Sequence, residues 1–472
     1  MKQTAWLAFS INRASPTPVF EQVCEVIRAK AISGDLPEGT KLPPTRVFAT
    51  ELGVSRSTIV TAYEQLVAEG YLYAVQGSAY SICAMGEVEL ATDNTPAQPN
   101  EAEEVTPNPR PFQAGQPDMR LFPHQQWARA VSRVCRSNPQ AMLVGGSSFG
   151  NFQLRLAIAR HVSEWRGIEA SAHQIIITAG STDALEICIR TLAGNDDRIG
   201  VEDPGYLPLR RIAGAQGLNP VFMRIDKDGA TLPRGVCDLN LVVLTPSHQY
   251  PLGGAMSPNR RLEFIRWAER TNGWVIEDDY DSEFRYAGRP IPAMAGFDQL
   301  RRTIYIGSFS KIFSNALRLG YVIVPKPLIG DFRTTMGTFG LRASYMPQQA
   351  LAEFIHSGEF YRHLRRVRRI YAERRKHLLD RISMDFLQYG SVTDHQAGMQ
   401  IVLHLHPGLN DQQICAQAGK DGLAVQPLSA FCAEKSRYNG LLLGYCGFTW
   451  DESSAALDQL KVILGEFEGN RR

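Results

Sequence analysis

RRTIYIGSFSKIFSNALRLGYVIVP, residues 301–325, is the stretch on which the reading of this chain turns. Thr303 to Ile306 is a short apolar, β-branched and aromatic run expected to form a buried strand, and Leu319 to Pro325 begins another. Between them lies Ser308-Phe309-Ser310-Lys311, with Arg318 further on. A lysine at the mouth of a buried strand is costly to desolvate as a cation, which favours the neutral amine that attacks carbonyls. Such an amine forms Schiff bases. Ser308 and Arg318 flank it with hydroxyl and guanidinium groups suited to one phosphate. An aldehyde-reactive lysine beside phosphate ligands is what pyridoxal 5′-phosphate (PLP) requires. The rival reading is a solvated loop lysine between two strands, and the rest of the chain separates the two.

With 472 residues the chain can bury a sizeable core and is expected to hold more than one domain. A formal net charge of +2, with 21% charged residues, gives no global push toward nucleic acid or membrane. No uninterrupted apolar run approaches a membrane span, and the N-terminal MKQTAWLAFSINRASP lacks a signal-peptide apolar core. The eight cysteines are scattered without a C-x-x-C pair or metal-ligand spacing, which reads as reduced packing residues in a cytoplasmic protein and argues against structural zinc.

From Pro18 to Gly34, Val19, Val23, Val26, Ile27 and Ala31 fall at helical spacing. A connector, LPEGTKLPP, leads to Thr45, placed to cap a second helix that Gly53 breaks. Ser55 then caps a third, SRSTIVTAYEQLVAEG, with an inward stripe of Ile59, Ala62, Tyr63, Leu66 and Val67. Two short helices joined at a glycine turn make a helix-turn-helix, and Ser55, Arg56, Ser57 and Thr58 crowd the start of the helix that would read a major groove. YLYAVQGSAYSIC follows as a hairpin wing. The rival here is a small helical domain with capping serines. Basic and acidic residues are balanced, so DNA affinity would rest on a local patch of Arg46, Arg56 and backbone amides.

Residues 85–112 are rich in Pro, Glu, Thr and Asn and nearly free of large apolar side chains, which reads as an acidic, flexible linker. Beyond it, candidate strands at Ile175–Ile177, Ile199–Val201, Val221–Ile225, Leu241–Leu244, Trp274–Ile276, Thr303–Ile306 and Tyr321–Val324 alternate with helical patterns. That alternation predicts an α/β domain with a mainly parallel central sheet. Chemistry gathers where those strands end. Thr178-Ala179-Gly180-Ser181-Thr182-Asp183 opens a helix and offers amides and hydroxyls to a phosphate, without the G-x-G-x-x-G spacing of a dinucleotide site. Glu202-Asp203-Pro204-Gly205-Tyr206 holds a ring suited to stacking on a pyridine. WVIEDDYDSEF places Glu277, Asp278, Asp279 and Asp281 together; a metal is the rival occupant, disfavoured because no histidine lies close in sequence. Asp278 suits a pyridine nitrogen, and Tyr280, two residues on, the cofactor's phenolic oxygen.

Residues 1–84 resemble the winged helix-turn-helix of GntR-type bacterial regulators, through L42-P-P-T-R46, L52-G-V-S-R-S-T58, A62-Y63 and A68-E-G-Y-L72. The resemblance implies Arg46, Ser55, Arg56, Ser57 and Thr58 as contacts to double-stranded operator DNA. At the wing tip the family's G-S-G-T is replaced by Gly77-Ser78-Ala79-Tyr80. From 113 to 472, the order T-A-G-S-T-D, E-D-P-G-Y, S-H-Q-Y-P, E-D-D-Y-D, S-F-S-K311 and R318-L-G-Y resembles a fold-type I aminotransferase domain. The two together resemble the MocR group of regulators. That resemblance implies a Lys311 Schiff base with PLP and phosphate contacts from Gly180, Ser181, Thr182, Ser308 and Arg318. It also implies Tyr206, Asp278 and Tyr280 on the ring, and a homodimer.

Two departures bear on activity. Leu442 stands in G440-L-L-L-G where aminotransferases place an arginine that clamps the substrate carboxylate, and Gly145 stands where they lend a tyrosine to the neighbouring subunit. A leucine cannot make the bidentate pair that orients a substrate. Both departures favour sensing over ordinary transamination. The expected function is a transcription regulator that senses PLP or a small amino compound; the alternative is a working PLP-dependent aminotransferase with an accessory DNA-binding arm. An acid effector would need another arginine, such as Arg210 or Arg342. The arginine-rich run from Arg362 to Lys376 surrounds an apolar stripe and reads either as a solvated helix face or as a path for DNA phosphates.

Overall fold

A computed structural model describes residues 11–74, 79–84, 108–138, 146–233, 239–288, 290–340, 342–433 and 437–469. The chain forms two units, Met1–Thr106 and Pro107–Arg472.

In the first unit the apolar stripes of α1 (Val19–Ile32), α2 (Thr45–Leu52) and α3 (Arg56–Ala68) meet a hairpin of β1 (Leu72–Ala74) and β2 (Tyr80–Ile82). Val23, Ile27, Phe48, Ile59, Tyr63, Leu66, Leu72 and Ile82 form its core. Gly53 closes α2 in the left-handed conformation at φ +62°, which glycine adopts without a Cβ penalty. Arg28 fastens α1 to the end of α3 through both oxygens of Glu69, each at 2.7 Å. Ser55 caps α3 by accepting from the Thr58 amide at 3.1 Å. Thr45 does not cap α2: Pro44 holds that position, and Thr45 is already helical. Proline fixes an extended entry, and its carbonyl accepts from the Val47 and Phe48 amides at 2.9 and 3.0 Å. The wing turn, Gln76 to Ser78, lies outside the described residues.

The second unit is built on an eight-stranded sheet. Its strands are β3 (Ile175–Thr178), β4 (Arg198–Asp203), β5 (Asn219–Asp226), β6 (Gly229–Ala230), β7 (Leu239–Leu244), β8 (Trp274–Asp279), β9 (Thr303–Ser308) and β10 (Gly320–Ile323), in the order β3-β10-β9-β8-β7-β4-β5-β6. The central pairs β9/β8, β8/β7, β7/β4 and β4/β5 are parallel, while β10 runs antiparallel to both β3 and β9. Strands β3, β4, β7, β8 and β9 therefore point one way and end on one edge. All seven expected strands fall in this sheet; most are buried on both faces and so read as apolar runs, whereas β5 is largely exposed.

A second, four-stranded antiparallel sheet of β11 (Gly390–Val392), β12 (Gln400–Leu405), β13 (Gln426–Pro427) and β14 (Gly440–Gly444) has the order β11-β12-β14-β13. It was not expected from the sequence. Phe112, placed at the end of the linker by composition, is buried in the core and bridges to Gly444 of β14. The packed unit thus starts before the expected boundary; residues 85–107 lie outside the described part.

The helix Glu359–Asp385 carries the arginine-rich run. Most of these arginines hold the helix to its surroundings. Arg374 pairs with Asp118, Arg375 with Asp394, and Arg368 donates to the Arg285 carbonyl at 2.6 Å, while Arg362 pairs with Glu359 of its own helix. Arg365 and Arg369 are exposed. No helix among the described residues is long and apolar enough to cross a membrane.

Candidate functional site

The common edge where β3, β4, β7, β8 and β9 end opens on a cavity of about 380 Å³. From β3 come Gly180, Ser181 and Thr182, at the start of the helix Ser181–Leu192. Gly180 has φ +104° and ψ 179°, a conformation effectively confined to glycine, and it turns the chain so that the helix start faces the cavity. The end of β4 supplies Tyr206, that of β8 Asp278 and Tyr280, and that of β9 Ser308 and Lys311. Arg318 joins them because Gly320 pairs with both Ser308 and Thr178, which sets the residue just before β10 between two strand ends. All nine residues expected at the cofactor thus line one cavity.

Lys311 is half-buried, and its Nζ donates to the Gly115 carbonyl at 2.8 Å. Burial pulls its pKa below the usual lysine value, with Asp281 opposing that shift. Gly115 has φ +65°, and a Cβ there would lie 2.7 Å from Nζ, so glycine is what admits the lysine. Asp278 is pushed up to about 7, by burial first and by the neighbouring carboxylates Asp279, Glu202 and Asp281 next. Its Oδ1 is buried without a hydrogen-bond partner. An orphaned carboxylate oxygen is costly unless something fills its lone pairs.

The surrounding acids are accounted for one by one. Glu277 accepts from the Met294 and Ala295 amides, at 3.1 and 2.9 Å. Asp279 pairs with Arg166 at 2.8 Å and accepts from Tyr305 at 2.6 Å. Asp281 lies 2.9 and 3.0 Å from His248 Nδ1, which also lies 2.9 Å from the Tyr280 hydroxyl. With the carboxylate accepting, Nδ1 carries the proton, and the Tyr280 hydroxyl proton is left for an acceptor in the cavity. Burial holds the Tyr280 phenol well above its ordinary pKa, so it stays a donor. Glu202, pushed up to about 7 by burial, accepts from the Thr245 amide at 3.2 Å. Asp278 is the member of this group left facing the cavity without a partner.

The sequence reading missed Gly115, Tyr250, Asp281, Ser310 and Gln400, all of which line the cavity. Asp281 and Tyr250 sat within quoted motifs and needed only the strand register. Gln400 carries no local signal. Arg210 and Arg342, named for gripping an acid, do not line the cavity. Arg210 pairs with Asp203 at 2.8 Å and donates to the Phe431 carbonyl, and Arg342 pairs with Asp183 and Glu186. Gly145 lies outside the described residues.

In the first unit, Arg46, Ser55, Arg56 and Ser57 are exposed around the start of α3, and Thr58 is half-buried. The Ser55 hydroxyl is committed to the cap and to Ser57 and Thr58, each hydroxyl 2.7 Å away. Arg56 reaches back to the Thr45 hydroxyl at 3.5 Å.

Residues 20–82 match the family described as bacterial regulatory proteins, gntR family. Over nearly its whole length the chain is similar to the probable rhizopine catabolism regulatory protein MocR of Rhizobium meliloti, with 34% identity covering 93% of this chain and 92% of that protein. The chain belongs to the MocR-type GntR regulators. A second member, the pyridoxine biosynthesis transcriptional regulator PdxR of Corynebacterium glutamicum, is 34% identical, covering 98% of this chain and 97% of that protein. The large unit of this MocR-type regulator has the aminotransferase fold. The kynurenine aminotransferase of Pyrococcus horikoshii, solved with PMP, matches at a TM-score of 0.70 with 23% identity, covering 78% of this chain and 92% of that one. LysN of Thermus thermophilus, solved with a phosphopyridoxyl-leucine, matches at 0.68 with 23% identity, covering 76% and 92%. This MocR-type chain is thus a DNA-binding transcription regulator whose second unit is aminotransferase-like.

Proposed function

We propose that this regulator holds PLP in the cavity at Lys311 and reports its occupancy, or that of an amine reacting there, to the DNA-reading unit. The observation that carries this is the presence in one cavity of a half-buried lysine, its pKa lowered by desolvation, and an orphaned aspartate oxygen. When bound, PLP supplies an aldehyde that condenses with primary amines and a ring that withdraws electrons while its nitrogen is protonated. The residues fit that group. Asp278 offers the carboxylate a pyridine N–H needs, and Tyr280 offers a phenol proton. Ser181, Thr182, Ser308 and Arg318, with the amides opening the helix Ser181–Leu192, suit a phosphate. Tyr206 provides a ring face, its hydroxyl held 3.3 Å from Thr182.

Regulation then needs only that occupancy favour one arrangement of the protein over another, since a ligand with equal affinity for both shifts nothing. As a homodimer the chain would present two reading helices to two half-sites. The test is to select double-stranded DNA from a random pool on the full-length protein, then measure its mobility shift with and without PLP. A shift that PLP alters, and that PLP leaves unchanged in Lys311→Ala, is the expected result; identical shifts in both proteins would overturn it.

Two smaller predictions follow from geometry. Arg56→Ala should weaken the selected DNA by about ten-fold or more, a loss of about 1–3 kcal/mol, without changing the melting temperature, as read by titration and calorimetry. Gly115→Ala should place a methyl against Lys311 Nζ in a backbone conformation that disfavours it. It should slow PLP uptake, followed as absorbance at the cofactor band, by about ten-fold or more. Because the residues suited to the cofactor line one cavity, turnover of an amino donor is the second reading, and sustained keto-acid formation would establish it.

A further inference from the structure

The cavity lining is chemically mixed: Ser181, Thr182, Ser308 and Arg318 suit a phosphate, and Ala114, Gly115, Tyr250, Met399 and Gln400 also line it. Among the described residues that line it, the cations are Lys311 and Arg318. Leu442 is fully buried in an apolar cluster with Val402, Leu428 and Phe431, against which Ala114 and Tyr250 pack. Hydrocarbon therefore backs the wall where a clamp for an acid would stand. Asp278 and Asp281, both buried at the cavity, add no cation to it. A carboxylate buried there would be unpaired, which is strongly unfavourable.

Gln400, the first residue of β12, is set beside this wall by pairing with Gly444, which also bridges to Phe112, two residues from Ala114. It is 6% exposed, and its Nε2 is buried with no hydrogen-bond partner. The last torsion of a glutamine is soft, so either end of the amide can turn to a neighbour that satisfies it. A buried amide without a protein partner gains from a ligand that supplies one.

We propose that Gln400 reads the effector, and that the effector is a small primary amine whose second polar group is uncharged, a hydroxyl or carboxamide. Carboxylate-bearing counterparts are rejected. This rests on the PLP reading above, since the amine is the group that reaches the aldehyde. It adds a specificity that the lysine and the phosphate cradle do not carry.

The experiment titrates full-length, PLP-loaded protein with 3-aminopropan-1-ol, β-alaninamide, β-alanine and butylamine, by calorimetry. PLP content is read separately from absorbance. The alcohol and the carboxamide should bind at least about ten-fold tighter than β-alanine and butylamine. Gln400→Met should bring them level with butylamine at unchanged PLP content. The wild-type ranking needs no variant, so poor folding of Gln400→Met leaves the test standing. β-Alanine binding as well as the alcohol, no binding by alcohol and carboxamide, or an unchanged ranking in Gln400→Met would each overturn the inference while leaving the cofactor reading intact. A wild-type protein that takes up no PLP would overturn both.

Discussion

Lys311→Ala is expected to abolish borohydride-fixed pyridoxyl labelling of the peptide that carries residue 311 and to weaken PLP retention by about 100-fold or more, about 2.7 kcal/mol. Mass spectrometry of the reduced protein and equilibrium dialysis measure the two effects. The variant should fold as well as the parent. Burial pulls the lysine's pKa down, so the folded state holds the ammonium less firmly than the unfolded chain does. Between the folded and unfolded values the unfolded chain binds more protons, so stability falls as pH drops through that window, and below it the whole penalty is present. Removing it relieves that cost and leaves the Gly115 carbonyl as the one lost partner. Lys311→Arg separates charge from chemistry: the guanidinium keeps a cation in the cavity but does not attack an aldehyde. It should fail the labelling test as fully as alanine. Labelling that persists in either variant would place the covalent chemistry elsewhere and remove the central role given to this lysine.

The parts of this molecule that could be read from sequence are those whose physics is local. Strands such as Ile175–Thr178 and Thr303–Ser308 are buried at every position, which makes their sequences rich in β-branched and apolar residues. Ser55 caps α3 through a contact three residues away. Most of the expected cavity residues follow from a topological rule, since ligands collect where parallel strands end, and Gly180, Ser181, Thr182, Tyr206, Asp278, Tyr280, Ser308 and Lys311 lie within a few residues of such ends. What escaped detection depends on long-range pairing. The four-stranded sheet joins β12 to β14 across some forty residues, and β13 is two residues long, too short for any pattern. Gln400 becomes part of the site only through that sheet. Arg210 illustrates the converse: it was named as an arginine that could grip an acid effector, but Asp203 and the distant Phe431 carbonyl hold it. A guanidinium already paired with a buried carboxylate has little left to offer a ligand acid. Phe112 was assigned to the linker by the composition of its neighbours, although its own side chain belongs to the core.

Asp278 ties cofactor binding to stability in a way that a second substitution exposes. Folded Asp278 keeps its proton to about pH 7, whereas an aspartate in an unfolded chain releases it near about 3.9. Between those values the folded state binds more protons than the unfolded one, so raising the pH removes stability, and above about 7 the whole penalty is present. Asp278→Asn cannot ionise. The PLP-free variant should therefore melt higher than the parent at pH 8, by an amount on the order of a few kcal/mol, and the difference should vanish toward pH 4. PLP should reverse the order. The carboxylate that destabilises the empty protein is the group that pairs with a protonated pyridine nitrogen, and breaking a buried pair of that kind costs about 3–5 kcal/mol. Affinity for PLP should accordingly fall by about two orders of magnitude or more in Asp278→Asn, so that PLP raises the melting temperature of the parent far more than that of the variant. Calorimetric melts at pH 5 and 8, each with and without PLP, measure all four quantities. A variant that is stabilised without ligand yet binds PLP unchanged would show that the orphaned oxygen serves no cofactor. A variant stabilised without ligand and blind to PLP would show that the protein carries this unfavourable charge for the sake of the ring nitrogen.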